Sequence, residues 1–103
     1  MLTNDDIKQY KFFHELTGLA YVDRIILYGS RARNTNQEKS DIDLAIFCPK
    51  ATDGQWYTLL EIIEEADTLF GIDCVRLDVL PEDDILKQQI TTEGKILWSR
   101  TTY

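Results

Sequence analysis

Cysteine, basic charge and long apolar runs are scarce in this sequence. Its two cysteines, Cys48 and Cys74, do not have the spacing of a zinc site. Each lies in or beside an apolar run, so we expect two buried, reduced thiols, as in a cytoplasmic protein. No apolar stretch approaches the roughly 18 residues of a membrane span. Because Asp5 and Asp6 stand near the start, where a signal peptide would be basic and then apolar, no signal peptide is predicted.

The charge balance is acidic. Eleven Lys and Arg face 18 Asp and Glu, which gives a formal net charge of -7, and no run of basic residues forms a stripe. Binding of nucleic acid depends mostly on neutralising phosphates, so direct nucleic-acid binding is not expected. An acidic surface is compatible instead with a basic protein partner.

The length of 103 residues predicts one domain, residues 1–103, with a modest core. Strands and helices alternate, which favours an α/β fold with a single sheet of about four strands and helices packed on it. The predicted elements are a helix from Thr3 or Asn4 to a C-cap at Gly18, strand Val22–Tyr28, helical turn Arg31–Asn34, strand Asp41–Cys48, helix Gly54–Phe70 stopped by Gly71, strand Ile72–Val79, helix Glu82–Thr92 and strand Lys95–Ser99.

The first predicted strand ends at Gly29-Ser30. Glycine lets the backbone approach a ligand closely because it has no Cβ, and we expect Ser30 to cap the short helix that follows. The N–H groups of such a strand–turn–helix suit a phosphate. Arg31 or Arg33 could contact that phosphate, and pairing with a surface acid such as Glu38 is an equal alternative for each.

Two acidic residues follow at a spacing of two. In a strand, Asp41 and Asp43 project to one face, while Ile42 and Leu44 project to the other. Adjacent carboxylates repel each other and are tolerated best around a cation, for which Mg²⁺ with phosphate oxygens is the natural candidate. The alternative is an acidic strand start that faces solvent and binds no ligand.

These segments together resemble the signature of the DNA polymerase beta-like nucleotidyltransferase superfamily, and the match is closest to its minimal nucleotidyltransferase branch. The matching positions are Gly29, Ser30, Ala32, Arg33, Ser40, Asp41, Asp43 and Leu44. Asn34 stands where the branch usually has glycine, and asparagine tolerates the positive φ that such a turn requires. The resemblance implies a mixed sheet whose first two long strands are antiparallel.

A third carboxylate is expected from the next strand. Asp73 matches the position that the family uses, just before Cys74 and Val75. Asp78 has the opposite parity, so we expect it to be a solvated strand end or a partner of Arg76. A bulge in the strand would reverse this choice.

The resemblance implies that ATP binds with its phosphates on Gly29, Ser30 and Arg33. Two Mg²⁺ ions would be held by the catalytic carboxylates Asp41, Asp43 and Asp73. A hydroxyl would then attack the α-phosphorus and pyrophosphate would leave.

Minimal members commonly pair with a small helical HEPN-domain toxin, so the implied role is that of an antitoxin that adenylylates a tyrosine of its partner. A binding-only module that silences a partner by contact is the alternative. A third hypothesis, adenylylation of a small molecule such as an aminoglycoside, has less support, because no second domain is available to hold the acceptor. A homo-oligomer is left open.

Overall fold

Residues 2–100, which the computed structural model describes, form one four-stranded sheet in the order β3-β2-β1-β4. Met1 and residues 101–103 of the predicted domain lie outside the described part. The elements are α1 Asn4–Gln9, α2 Lys11–Thr17, β1 Arg24–Tyr28, α3 Ser30–Arg33, β2 Ile42–Phe47, α4 Asp53–Glu64, β3 Ile72–Arg76, a 3-10 turn Leu77–Val79, α5 Ile85–Glu93 and β4 Lys95–Ser99.

The sheet is mixed, as the resemblance implied. The central strand β1 is antiparallel to both β2 and β4, whereas β2 is parallel to β3. Parallel neighbours need a crossover connection, and α4 supplies it. The α/β fold class predicted from the alternating pattern is therefore confirmed.

Both faces of the sheet are covered. Ile25 and Leu27 of β1 belong to the larger core, which includes residues of α1, α2 and α4. Ile26 and its neighbours on the opposite face pack with Ile90 of α5. Leu44–Ile46 are completely buried, so this part of β2 is covered on both faces.

The N-terminal helical segment, predicted as one helix, is two. Tyr10 adopts an extended conformation and separates α1 from α2. The N–H groups of Lys11 and Phe12, which open α2, donate to the two carboxylate oxygens of Asp67 at 3.0 Å each. Because this cap comes from a residue far along the chain, no local sequence signal predicts the break between α1 and α2.

Three other predicted boundaries are wrong by three residues or more. Helix α4 ends at Glu64, before the predicted Phe70, because the following segment turns to bring Asp67 against α2. Strand β3 ends at Arg76, where the 3-10 turn begins. Helix α5 begins at Ile85, after Asp84 caps it by accepting a hydrogen bond from the N–H of Lys87.

Both cysteines are free thiols, Cys48 buried and Cys74 half-buried. Burial raises the pKa of each thiol to about 12, as expected for reduced structural cysteines. Across residues 2–100, no helix has the length and apolar character needed to cross a membrane.

Candidate active site

The turn after β1 depends on Gly29. Its φ of 75° and ψ of -155° lie in a region that side chains disfavour, and a Cβ here would collide with the carboxylate of Asp43. Gly29 also occupies the N-cap position of α3, without a side-chain cap, and Ser30 is the first helical residue. The predicted cap at Ser30 is therefore wrong, because the positive φ of Gly29 ends the strand and starts the helix one residue earlier.

Helix α3 ends at Asn34. This residue adopts the left-handed conformation, with φ 59° and ψ 30°, as predicted for asparagine in place of glycine. The N–H of Thr35 donates to the carbonyl of Ser30 at 2.9 Å, and this hydrogen bond stabilises the turn at the end of α3.

Three polar side chains form a row across neighbouring strands. Asp43 on β2 is paired with Tyr28 on β1 and with Asp73 on β3. Directly paired residues project to the same face of a sheet, so Tyr28, Asp43 and Asp73 lie side by side on the face that carries α5. We call these three residues the acidic row. Asp73 therefore lies on the same face as Asp43.

Asp41 lies just before β2, at the same end of the sheet. Its Oδ1 approaches Gly71 so closely that a Cβ there would be 2.6 Å away. The N–H of Ile42 donates to the carbonyl of Gly71 at 2.8 Å. Asp41 therefore sits where β2 and β3 begin, with Gly71 providing the space.

The electrostatics of the row reflect crowded carboxylates. The pKa of Asp43 is raised to about 6 by burial, by the charge of Asp73 and a hydrogen bond with it, and by the charge of Asp41, while Arg33 opposes the shift. Burial and then the charges of Asp43 and Asp73 raise the pKa of Tyr28 to about 12. A cation at the row would relieve this repulsion.

The donor set fits Mg²⁺ chemically, since carboxylate oxygens are the ligands that this ion prefers. Within residues 2–100, however, no three His, Cys, Asp or Glu side chains are arranged as a preformed metal centre. Asp43 and Asp73 form the close pair, and Asp41 is the remaining candidate donor at this end of the sheet.

The two arginines of α3 have different roles. Arg33 is exposed, and its Nη1 lies 3.1 Å from Oε2 of Glu93 at the end of α5. Such an exposed pair is weak, and it corresponds to the surface ion pair that was one of the two alternatives for Arg33. Arg31 is only 5% exposed and donates to the backbone carbonyls of Glu38 and Ser40. Both sequence-based alternatives for Arg31, a phosphate contact and a surface ion pair, are therefore wrong.

Asp78 is separate from the acidic row. Its Oδ2 accepts a hydrogen bond from Nε of Arg76 at 2.9 Å, and its Oδ1 accepts one from the N–H of Cys48 at 2.9 Å. The side chain is 8% exposed, so of the two expectations the partner of Arg76 is correct and the solvated strand end is wrong.

Tyr28 was missed by sequence reasoning. It reads as the last residue of a buried strand, and only its position just before Gly29 hints at the site. Its place beside Asp43 depends on the antiparallel register of β1 and β2, which local sequence does not encode.

Known proteins are similar to this chain in sequence and in fold. Protein adenylyltransferase MntA of Shewanella oneidensis is 30% identical over 76 residues, which are 72% of this chain and 52% of that protein. The chain thus spans about half the length of this curated relative. A crystal structure of a toxin-antitoxin with AMP-PNP matches with a TM-score of 0.67 and 25% identity, over 95% of this chain and 74% of that one.

A complex of tri-AMPylated Shewanella oneidensis HEPN toxin with MNT antitoxin matches with a TM-score of 0.59 and 23% identity, over 93% of this chain and 69% of that one. This likeness shows a shared fold. Residues 11–103 match the family model described as polymerase beta, nucleotidyltransferase. Since that match includes the glycine turn, the acidic row and all four strands, the chain belongs to the polymerase beta nucleotidyltransferase family.

Proposed function

We propose that this protein is a Mg²⁺-dependent nucleotidyltransferase that transfers AMP from ATP to a hydroxyl group of a partner protein. The observation that carries the proposal is the place of Asp43, which is paired with Asp73 and lies against the Gly29 turn. Carboxylates for a cation and a turn for phosphates are thereby adjacent, as phosphoryl transfer requires.

In this proposal the phosphates of ATP contact Gly29, Ser30 and Arg33. Two Mg²⁺ ions would be held by Asp41, Asp43 and Asp73. The metal, when bound, neutralises phosphate charge and favours ionisation of the attacking hydroxyl. The hydroxyl oxygen bonds to the α-phosphorus, the bond from that phosphorus to the bridging oxygen breaks, and pyrophosphate leaves. Asp73 accepts the hydroxyl proton.

The proposed acceptor is a tyrosine of a small helical HEPN-type toxin, which this chain would neutralise as an antitoxin in the cytoplasm. Its similarity to a protein adenylyltransferase and to a toxin-antitoxin that binds AMP-PNP supports this choice. The net charge of -7 fits a basic partner better than nucleic acid.

The test is incubation of the purified protein with labelled ATP, Mg²⁺ and a HEPN-type toxin, which we expect the neighbouring reading frame to encode. We expect Mg²⁺-dependent AMP on a toxin tyrosine, located by mass spectrometry, together with loss of toxin ribonuclease activity. Asp43→Asn should abolish both effects, and unchanged labelling by that variant would contradict the proposal.

A binding-only module remains the second candidate, because residues 2–100 contain no preformed three-ligand centre. That function predicts toxin inhibition by stoichiometric complex formation without ATP. Inhibition that survives Asp43→Asn and needs no nucleotide would favour it.

A further inference from the structure

We propose that Arg31 is a positioning residue that fixes Asp41, a role that rests on the proposed function because Asp41 is there a metal ligand. The guanidinium of Arg31 donates to the carbonyl of Ser40 through Nε at 3.0 Å and through Nη2 at 2.6 Å. Nη2 also lies 3.3 Å from the carbonyl of Glu38. Two converging donors on one acceptor hold that carbonyl in a defined direction.

The carbonyl of Ser40 belongs to the peptide bond that leads into Asp41. Its orientation sets the plane of that peptide and therefore the direction from which the Asp41 side chain departs. The segment between α3 and β2 has no regular secondary structure. Near this point the segment is also held by a turn, in which the N–H of Ser40 donates to the carbonyl of Gln37 at 3.0 Å and the N–H of Gln37 donates to Oγ of Ser40 at 2.9 Å.

A second contact of Arg31 restrains the other side of Asp41. Its guanidinium carbon lies 4.9 Å from the ring centroid of Phe70, which is a cation–π contact. Phe70 directly precedes Gly71, whose Cα borders the Asp41 carboxylate. Arg31 therefore contacts both Ser40, which precedes Asp41 in the chain, and Phe70, which precedes the glycine that lies against the Asp41 carboxylate.

The burial of Arg31 is hard to explain by stability alone. Within residues 2–100 its charge meets backbone carbonyls and an aromatic ring and forms no ion pair with a carboxylate. Burying a charge in this way costs free energy that an apolar side chain would avoid. What arginine adds is a rigid fork of donors, two residues after the Gly29 turn that lies against Asp43.

The test compares Arg31→Lys with Arg76→Lys. Arg76 is a matched control, because it also donates to two backbone carbonyls, of Cys48 and Ala51, and lies over an aromatic ring, Trp56. Within residues 2–100, the hydrogen bonds, ion pair and ring contact of Arg76 involve none of Asp41, Asp43 and Asp73. We measure Mn²⁺ affinity by calorimetry with a nonhydrolysable ATP analogue, kcat and KM for AMP transfer, and the melting temperature.

Arg31→Lys should weaken Mn²⁺ binding and lower kcat by roughly tenfold to a hundredfold, the usual effect of losing a residue that orients a metal ligand. The KM for ATP should change little. Arg76→Lys should lower the melting temperature and leave Mn²⁺ affinity unchanged. Equal losses of Mn²⁺ affinity in the two variants would overturn the positioning role.

A double-mutant cycle separates this role from general stabilisation. In an Asp41→Asn background, Arg31→Lys should cause no further loss of Mn²⁺ affinity but should still lower the melting temperature. Additive losses of affinity would overturn the proposal, as would absence of Mn²⁺ binding by the unmodified protein. If the unmodified protein binds Mn²⁺ but transfers no AMP, a loss of affinity in Arg31→Lys supports the positioning of Asp41 while the proposed reaction fails.

Discussion

Asp43 is a half-buried carboxylic acid beside a second one, Asp73, and the folded state therefore favours its protonated form. Its pKa is raised to about 6 from the ordinary value of 3.8. Between these two pH values the native protein binds more protons than the unfolded chain, so the stability of the metal-free protein falls as the pH rises from about 4 to 6. Below both pKa values Asp43 is protonated in the folded and the unfolded state, so it no longer makes the stability depend on pH.

Asp43→Asn should accordingly stabilise the metal-free protein at pH 7, while it abolishes transfer. We expect a gain of about 1 kcal/mol, which is less than the full pKa difference because Asp43 is partly solvent-screened. The measurement is urea unfolding with a chelator between pH 4 and 8, and the gain should disappear near pH 4. Asp83→Asn, at an exposed position, is the control. A gain that does not vary with pH would contradict the explanation.

Gly29→Ala should disrupt both the turn and the nucleotide site. The positive φ of Gly29 is strained for alanine, and the added Cβ would collide with the carboxylate of Asp43. We expect a loss of about 1–3 kcal/mol in stability and no detectable binding of an ATP analogue by calorimetry. Gly54→Ala is the control, because Gly54 is helical and its Cβ would lie 4.0 Å from the nearest atom, Oγ1 of Thr52. Normal nucleotide affinity in Gly29→Ala would place the phosphates elsewhere.

Asp73 and Asp78 should respond to the same substitution in opposite ways. Asp73→Asn should lose AMP transfer by orders of magnitude, because the hydroxyl proton loses its acceptor, while affinity for an ATP analogue is largely kept. Asp78→Asn should leave Arg76 buried without its carboxylate and cost about 2–4 kcal/mol of stability. Single-turnover transfer and urea unfolding of both variants make the comparison. Loss of transfer in a well-folded Asp78→Asn alone would reverse the assignment.

At the scale of elements, the sequence predicts what short-range patterns control. Strands β1 and β2 follow from apolar runs that end at the Gly29 turn and at Pro49, and β4 follows from the run that begins after the Gly94 cap. The break at Tyr10 and the early end of α4 were not predicted, because both depend on Asp67, which meets α2 only in the folded chain.

The features of the candidate site were likewise predicted only where they depend on local sequence. Gly29 and the pair Asp41 and Asp43 carry a local pattern, and the parity of β3 favours Asp73. The burial of Arg31 and the place of Tyr28 depend on contacts and strand register that form only on folding.

Asp67→Asn should destabilise the packing of α2 against the C-terminal end of α4. Asparagine offers one oxygen acceptor in place of two, so one of the Lys11 and Phe12 N–H groups loses its partner. These two hydrogen bonds lower the pKa of Asp67, so its contribution is present above the unfolded pKa and is lost as the pH falls. The melting temperature should therefore drop in Asp67→Asn at pH 7 and approach the parent value in acid. Glu65→Gln, in the same segment, should not show this pH dependence.

At the scale of the whole molecule, negative charge is concentrated in one region. Residues 51–75 contain six acids and no Lys or Arg: Asp53, Glu61, Glu64, Glu65, Asp67 and Asp73. This stretch, which includes α4 and much of β3, therefore accounts for most of the net charge of -7. Its field should steer a basic partner during association.

Association with the proposed toxin should consequently slow as salt rises, because screening shortens the range of that field. Glu61→Gln with Glu64→Gln should lower the association rate several-fold at low salt and change dissociation less. Stopped-flow mixing at two salt concentrations measures this. Neutralising Glu82 and Asp83, which lie outside the acidic stretch, is the control, and an equal effect there would show that total charge matters instead.

The central place of β1 also has a consequence for how the chain folds during synthesis. One edge of β1 pairs with β2, which soon follows it, but the other pairs with β4, made only after α4, β3 and α5. That edge of the apolar strand stays open while most of the chain leaves the ribosome, and pairings between distant segments form slowly. The nascent protein is therefore most exposed to edge-to-edge aggregation in the interval before β4 closes the sheet.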